Sequence, residues 1–595
     1  MKEKHIYIVS DSIDSNFLEK SISSLTRENI ITLSPDAFYI LKGTDNNISR
    51  SNSLFRDEKH EIAVKAVNQQ ELKLIREIEE SESMTSITKE ILLNQIHAVL
   101  SIYYMISLTI PEAPIYKVFF EGDFLDFDQK KDACFCLLRK VSNGHPFKLK
   151  TNKPWFPSII NLLNNLSSRI LSKKNIYIFS TFVYGTPWVS KEVQKIDKEA
   201  TFVSFVSTKG TRLDLLRSFG TLISALLGMK YIKFVIPHSS CANSNEYKEI
   251  IQSLDDQDAA HGLMCFEESI MKRVALANSS SDQISLLVKQ LKPLCMIAHE
   301  MRSPMSMASA FAMKNNKIPV YLASHGTHLS TGNEIIDLEQ KSLARGILTS
   351  PLADYTIAQS AMSKDAIRKF YPEFKTLEYD QINWGYPNNK DILANKNNKD
   401  ILANKNNKDI LANKKIKFLH ASTYKGIGSL RPWIFETSDE FHKSLSELIQ
   451  IFNRVGSADL LIRHREIGEM SINTYEDLIH KENQNIYIKT DLDNPFLEDL
   501  DVADVVIANF STTIEEALTR GKYVILWGEG NRYSHENSPY ISQDLVFSAH
   551  STEEMYNIVN LLIKKIEKEN PKLSNENIGL KDSQKAFIQR IVSGN

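Results

Sequence analysis

The sequence predicts an α/β protein built on two doubly wound, largely parallel sheets, and three observations carry that expectation. Short β-branched apolar runs alternate with helical stretches along most of the chain, as strands buried on both faces do. One such unit, residues 501–528 (DVADVVIANFSTTIEEALTRGKYVILWG), is complete from strand through turn and helix to the next strand. A nine-residue segment, NNKDILANK, occurs three times without change at 388–396, 397–405 and 406–414, and divides the alternating runs into two halves.

Bulk properties narrow the class. At 595 residues the chain exceeds a single core. A net charge of −2 gives no global basic field of the kind nucleic acid attracts. The five cysteines are scattered, and Cys134 and Cys136 form CxC rather than CxxC. Neither a disulfide framework nor a zinc site is expected, and a reducing cytoplasm fits. The opening MKEKHIYIVSDS runs straight into a strand-like segment, so no signal peptide is read there. No apolar run reaches the roughly 18–20 residues that span a bilayer. The expectation is a cytoplasmic protein, soluble or at most peripheral to the inner face of a membrane.

Taken in order, HIYIVSD from His5 reads as a first strand and NIITLSPDAFYIL from Asn29 as a second. Residues 43–60 read as a polar surface loop, and 61–110 as a long helical insertion. Pro154 to Pro157 punctuate the chain before another helix. NIYIFSTFVYG, TFVSFVS and YIKFVIPHSS are strand-like, with RLDLLRSFGTLISALLG as a helix between the last two. CMIA and IPVYLAS form the next strand pair around a helix announced by Ser303 and Pro304. ADYTIAQ is a further strand, and the segment closes at INWGYP near Pro387. Perfect identity of the nine-residue repeats indicates duplication of coding sequence rather than a solenoid, and their position makes them a linker. The second half continues with KIKFLHAS, ADLLIRHRE and NIYIKTD as strands before the 501–528 unit, and ends in helical sequence.

The 501–528 unit points to an anion. Ser511, Thr512 and Thr513 lie where strand gives way to helix, where free N–H groups and the positive dipole end gather. A plain helix cap followed by acidic first-turn residues would look the same locally. The run from Ala503 through Asn509, the hydroxyl cluster, Glu515-Glu516-Ala517 and Gly521 resembles the C-terminal domain of GT-B glycosyltransferases that build bacterial surface polysaccharides. CDP-glycerol glycerophosphotransferases and CMP-sugar-using transferases carry similar segments. The resemblance implies two Rossmann-like domains facing across a cleft. The acceptor domain would occupy 1–387 and the linker 388–414. The nucleotide-donor domain would occupy 415–570, and a helical tail at 571–595 would cross back to the first domain. It further implies that Ser511, Thr512 and Thr513 hold phosphate and that Glu515 or Glu516 holds ribose. A basic-His-Pro motif is usual at the end of the strand matching ADLLIRHRE; Arg463-His464-Arg465 stands there without the proline, and the resemblance implies that Arg463 and His464 lie beside the nucleotide phosphate.

Other candidates come from strand ends. His299-Glu300 and Ser324-His325 follow successive strands, where open parallel sheets place ligands. Glu300 is the candidate base or nucleophile-side acid, His325 a donor or oxyanion contact, and Asp11 an alternative carboxylate. His299, Arg302, Ser324 and Lys425 are candidate substrate or phosphate contacts. DxD occurs at Asp126–Asp128, at Asp491–Asp493 and at Asp499–Asp501, a recurrence that marks chance rather than a metal site. No P-loop, GxSxG or HExxH motif is present. The expectation is metal-independent transfer of a sugar from a nucleotide donor to a surface or lipid-linked glycan, with no other cofactor. A CMP-linked sialic-acid-like or Kdo-type sugar is the favoured donor. A CDP-glycerol glycerophosphotransferase, a UDP-sugar 2-epimerase and a non-catalytic glycan or nucleotide binder are the alternatives.

Overall fold

The computed structural model describes residues 5–9, 29–32, 47–50, 57–82, 84–109, 115–121, 133–139, 156–181, 186–208, 211–237, 245–252, 267–323, 330–358, 361–377, 415–422, 438–464, 472–479, 485–490, 496–509, 513–528, 544–569 and 582–593, with isolated positions at 260, 263, 264, 436 and 511. Three sheets organise them. The first holds β1 (His5–Val9), β2 (Asn29–Thr32), β3 (Asn47–Arg50), β4 (Ile115–Glu121) and β5 (Ala133–Arg139). Its order is β3-β2-β1-β4-β5, parallel except for β5, which pairs antiparallel with β4.

The second sheet comprises β6 (Asn175–Phe179), β7 (Ala200–Thr208), β8 (Tyr231–Pro237), β9 (Cys295–Ala298), β10 (Val320–Ala323), β11 (Tyr355–Ile357) and β12 (Thr376–Leu377). It runs β12-β11-β10-β9-β6-β7-β8 with every pair parallel. The third comprises β13 (Ile416–His420), β14 (Ala458–Arg463), β15 (Ile486–Lys489), β16 (Val505–Ala508), β17 (Tyr523–Leu526) and β18 (Val546–Ser548). Its order is β15-β14-β13-β16-β17-β18, again parallel throughout. These are the two doubly wound parallel sheets expected of a GT-B architecture.

Why the strands read as unbroken apolar runs is visible in their burial. CMIA, VYLA and VVIA are buried at every position. Alternate residues serve opposite faces. In β6, Ile176 and Ile178 enter one core while Tyr177 and Phe179 enter the other. In the third sheet Phe418 and Ile507 face one core, and Leu419, Val506 and Ala508 face the other.

The helical insertion consists of two long helices, Asp57–Glu80 and Ser86–Thr109, packed on each other. The second also packs on the Glu267–Leu291 helix. A mostly buried ion pair, Arg345 Nη2 to Glu90 Oε1 at 2.8 Å, joins the insertion to the chain beyond β10. Phe587, Ile588 and Ile591 of the last helix, Asp582–Ser593, are buried in the core beneath Tyr177, Phe179 and Tyr321. The tail therefore does return to the N-terminal half. Among the described residues no helix is long and apolar enough to cross a membrane.

Two expectations change. Residues 1–387, read as one sheet domain, divide their strands between two sheets. An alternation of strands and helices records that strands pair, and leaves open which sheet each joins. Within the 43–60 segment read as loop, Asn47–Arg50 is an edge strand parallel to β2. The NNKDILANK repeats lie outside the described residues.

Candidate functional site

In a doubly wound sheet the crevice opens where strand order reverses, at the carboxyl ends of the two strands flanking the reversal. The third sheet reverses between β13 and β16, and the second between β6 and β9.

At the β13–β16 mouth, β13 ends in His420 and leads to Ala421 and Ser422. The Ala421 N–H donates to the Ile507 carbonyl at 2.9 Å, extending the pairing one residue beyond the strands. The Asn509 N–H donates to Ser422 Oγ at 2.9 Å, tying the two mouth loops together. Beyond Asn509, the Ser511 hydroxyl donates to Thr513 Oγ1 at 3.0 Å and accepts the Thr513 N–H at 3.2 Å. Ser511 thus caps the short Thr513–Thr519 helix, which closes at Gly521 with φ +65°.

Gly528, two residues past β17, packs directly on Asn509. A Cβ there would lie 2.7 Å from Asn509 Nδ2 and 3.4 Å from Glu436 Oε1. Loops after β13, β16 and β17, together with Glu436, therefore converge on one small polar patch. Below it the buried His420 ring tilts against Phe441 at 5.7 Å between centroids. Burial pushes this imidazole down to about 4, so it is neutral at pH 7.

Several sequence candidates sit around this patch and not all face it. Arg463, expected at the nucleotide, is buried and donates from Nη1 to Asp499 Oδ2 at 2.6 Å. Lys489 reaches the other oxygen of Asp499 at 3.1 Å. The guanidinium is thus anchored to a carboxylate 36 residues away. His464 follows it, edge-on to Tyr475 at 4.8 Å, with its N–H donating to the Lys489 carbonyl at 2.9 Å. Glu515 and Glu516 are half-buried in the first turn of the Thr513–Thr519 helix. Thr512 and Lys425 lie outside the described residues.

At the β6–β9 mouth, Ser180 and His299 are the first residues past their strands. Ser180 Oγ lies 3.0 Å from His299 Nδ1, and also accepts the His299 N–H at 3.3 Å. Burial lowers the His299 pKa, and the neighbouring Glu300 charge opposes that without reversing it. The imidazole is therefore neutral at pH 7, oriented by a serine.

Glu300 has a different occupation. Its Oε1 accepts from the hydroxyls of Ser303, at 2.8 Å, and Ser306. Its Oε2 accepts from the N–H groups of Ser303, at 2.8 Å, and Arg302. Burial alone would raise this carboxyl. His299, the Ser306 hydroxyl and the two N–H groups outweigh it and hold the pKa below the usual carboxylate range. With four donors on its two oxygens, Glu300 seats the start of the Pro304–Asn315 helix alongside the Ser303 cap.

Arg302 does not pair with Glu300 through its side chain. Its guanidinium donates to the carbonyls of Arg345, at 3.0 Å, and Leu343. Asp11, Ser324 and His325 lie outside the described residues.

Ser180, His420, Ser422, Glu436 and Gly528 were not singled out from the sequence. The signal available for the first three was positional: each ends an apolar strand run or follows directly after it. A cavity of about 700 Å³ beside Lys314, Tyr321, Asp354 and Tyr355 lies at the amino ends of β10 and β11, opposite the crevice. Among the described residues no group of three or more His, Cys, Asp or Glu side chains is placed to hold a metal ion.

No protein-family model matches the chain, and no curated protein sequence matches it. Solved structures similar to it share little sequence with it. The UDP-GlcNAc 2-epimerase from Neisseria meningitidis bound to UDP-GlcNAc is 13% identical, with a TM-score of 0.39, over 71% of this chain and 100% of that one. Acinetobacter baumannii MurG is 13% identical, with a TM-score of 0.36, over 71% and 99%. The wall teichoic acid polymerase TagF is 11% identical, with a TM-score of 0.35, over 73% and 94%.

Proposed function

We propose that the chain is a GT-B glycosyltransferase that binds its nucleotide-activated donor at the β13–β16 mouth and its acceptor at the β6–β9 mouth across a cleft. The observation that carries this reading is the convergence of Ser422, Asn509, Ser511 and Gly528 at the reversal point of the third sheet. Neutral hydroxyl, amide and backbone donors at that position suit the oxygens of a nucleotide phosphate. Gly528 keeps a loop close against Asn509, so that a ligand meets backbone as well as side chains.

In the proposed reaction an acceptor hydroxyl attacks the anomeric carbon as the bond from that carbon to the phosphate oxygen breaks. The hydroxyl proton passes to the neutral His299, and the nucleotide leaves with the bonding electron pair. His299 takes the base role because it is neutral and held by Ser180. Glu300, with both oxygens engaged, positions the loop that carries His299. His325 is kept as the leaving-phosphate contact and Asp11 as an alternative carboxylate. A CMP-linked acidic sugar is the preferred donor, on the resemblance of the hydroxyl cluster to cytidine-nucleotide enzymes.

Release of free nucleotide from CMP-, CDP- and UDP-activated donors, with and without a glycan acceptor, tests this. Acceptor-dependent release of CMP is expected, with His299→Ala lowering kcat by about 10²–10⁴-fold. Glu300→Gln should lower activity only in step with lost stability. Acceptor-independent conversion of a UDP-sugar would instead identify an epimerase, and glycerol phosphate in the product a glycerophosphotransferase. No release from any donor would refute the transferase reading.

A further inference from the structure

The Arg212–Leu226 helix is packed inside out. The positions that face its neighbours are Asp214, Ser218, Thr221 and Ala225, and all four are buried. Their polar groups are satisfied locally. The Ser218 hydroxyl donates to the Asp214 carbonyl at 3.0 Å, and the Thr221 hydroxyl to the Lys233 carbonyl of β8 at 2.7 Å. The opposite stripe, at spacings of three and four, is Leu213, Leu216, Phe219, Ile223 and Leu226. All are exposed, Leu216 by 66% and Leu226 by 65%. Leu227 and Met229 continue the stripe past the helix end.

The adjoining Pro157–Leu171 helix, packed on the first, adds Ile159, Leu162 and Leu166 to the same exposed surface. Inside, it sets Asn164 against the Val235 carbonyl at 2.7 Å. Isolated exposed leucines are ordinary; two adjacent helices that both turn apolar stripes outward are not.

The charges around the stripes favour one occupant. Residues 157–174 carry Arg169, Lys173 and Lys174 and no acid, and Lys174 pairs with the exposed Glu199 at 3.1 Å. Residues 211–233 carry Arg212, Arg217, Lys230 and Lys233 against a single acid, Asp214, which is buried in the capping box of its helix. These seven cations meet two acids, Asp214 and Glu199, in a chain whose net charge is −2. A second copy docked by two-fold symmetry would set this cationic rim against its own like. An anionic lipid surface accepts both features, the apolar stripes in the acyl boundary and the cations among the headgroups.

We propose that the exposed face of the Arg212–Leu226 and Pro157–Leu171 helices is a docking surface for anionic bilayers, which holds the protein in the plane of the membrane. It is independent of the nucleotide site, so the two readings succeed or fail separately.

Flotation of the full chain with vesicles tests it, using phosphatidylcholine alone and phosphatidylcholine with about 30 mol % phosphatidylglycerol. The protein should float with the anionic vesicles, less at high salt and less with neutral ones. Leu216→Asp/Phe219→Asp should lower partitioning at least about tenfold, with an unchanged circular dichroism melt because both side chains are exposed. Arg169→Glu/Lys173→Glu should remove the preference for anionic vesicles while leaving the apolar stripes intact. Wild-type protein that stays at the bottom of both gradients overturns the proposal. So does a concentration-dependent dimer, seen by sedimentation without lipid and lost in Leu216→Asp/Phe219→Asp, which would assign the face to a second copy.

Discussion

His420 shows how the mouth of the third sheet is tuned by burial. Its folded pKa of about 4 lies below the ordinary histidine value near 6.5, so the folded protein resists protonation there while the unfolded chain accepts it. The stability conferred by keeping the ring neutral is complete above about pH 6.5, falls by about 1.4 kcal/mol per pH unit below that, and is gone near pH 4. Between pH 7 and pH 5 this amounts to about 2 kcal/mol. Urea denaturation at both values should show that loss in the wild type, beyond any loss in His420→Gln. Equal pH slopes would mean that the imidazole is protonated in the fold, or exposed.

Residue identity alone did not reveal the partners of two neighbours of the crevice. Arg463 reads from sequence as a phosphate ligand, yet its partner Asp499 is 36 residues along the chain, on a different element. Glu300 reads as a base because it follows a strand end, and the nearby Arg302, Ser303 and Ser306 supply its donors. A strand end tells where a ligand can sit, and the local hydrogen bonds decide which side chain remains to meet it.

At the scale of elements, the parallel strands were legible because burial on both faces leaves no room for alternation. VVIA and YVIL, joined through a helix ending at a positive-φ glycine, pair parallel as expected. Ser303 and Pro304 begin their helix as the sequence indicates. The Arg212–Leu226 helix was legible as a helix, but periodicity says nothing about which side its apolar residues face. The division of the first half into two sheets was hidden for a similar reason, since pairing partners lie far apart in sequence.

The last helix offers the clearest element-level test. Phe587 is fully buried and meets Tyr321 edge-on at 6.5 Å between ring centroids. Arg590 lies 4.6 Å over the Tyr355 ring. Phe587→Ala should destabilise the protein by about 3–5 kcal/mol. Hydrogen exchange should then speed in β6, β9 and β10, with β13 and β16 unchanged. Equal acceleration in all three sheets would show that the helix supports more than the sheet it covers.

At the scale of the whole molecule, two parallel sheets each bring a polar mouth to the reversal of strand order. One carries hydroxyl and amide donors, the other a neutral histidine. A two-substrate group transfer divides its labour in that way, with donor phosphate held by one domain and the acceptor deprotonated by the other. On the proposed function, the mouth between β13 and β16 binds a nucleotide.

The most direct test is thermal unfolding of the full chain with CMP, CDP, UDP and GDP, repeated on Gly528→Ala and Ser511→Ala. At about one hundred times its Kd a nucleotide should add about 2.7 kcal/mol of stability. A cytidine nucleotide should give such a shift. Gly528→Ala, whose new methyl group displaces Asn509, should abolish the shift, and Ser511→Ala should reduce it. A shift that survives both substitutions, or none with any nucleotide, would contradict nucleotide binding at this mouth.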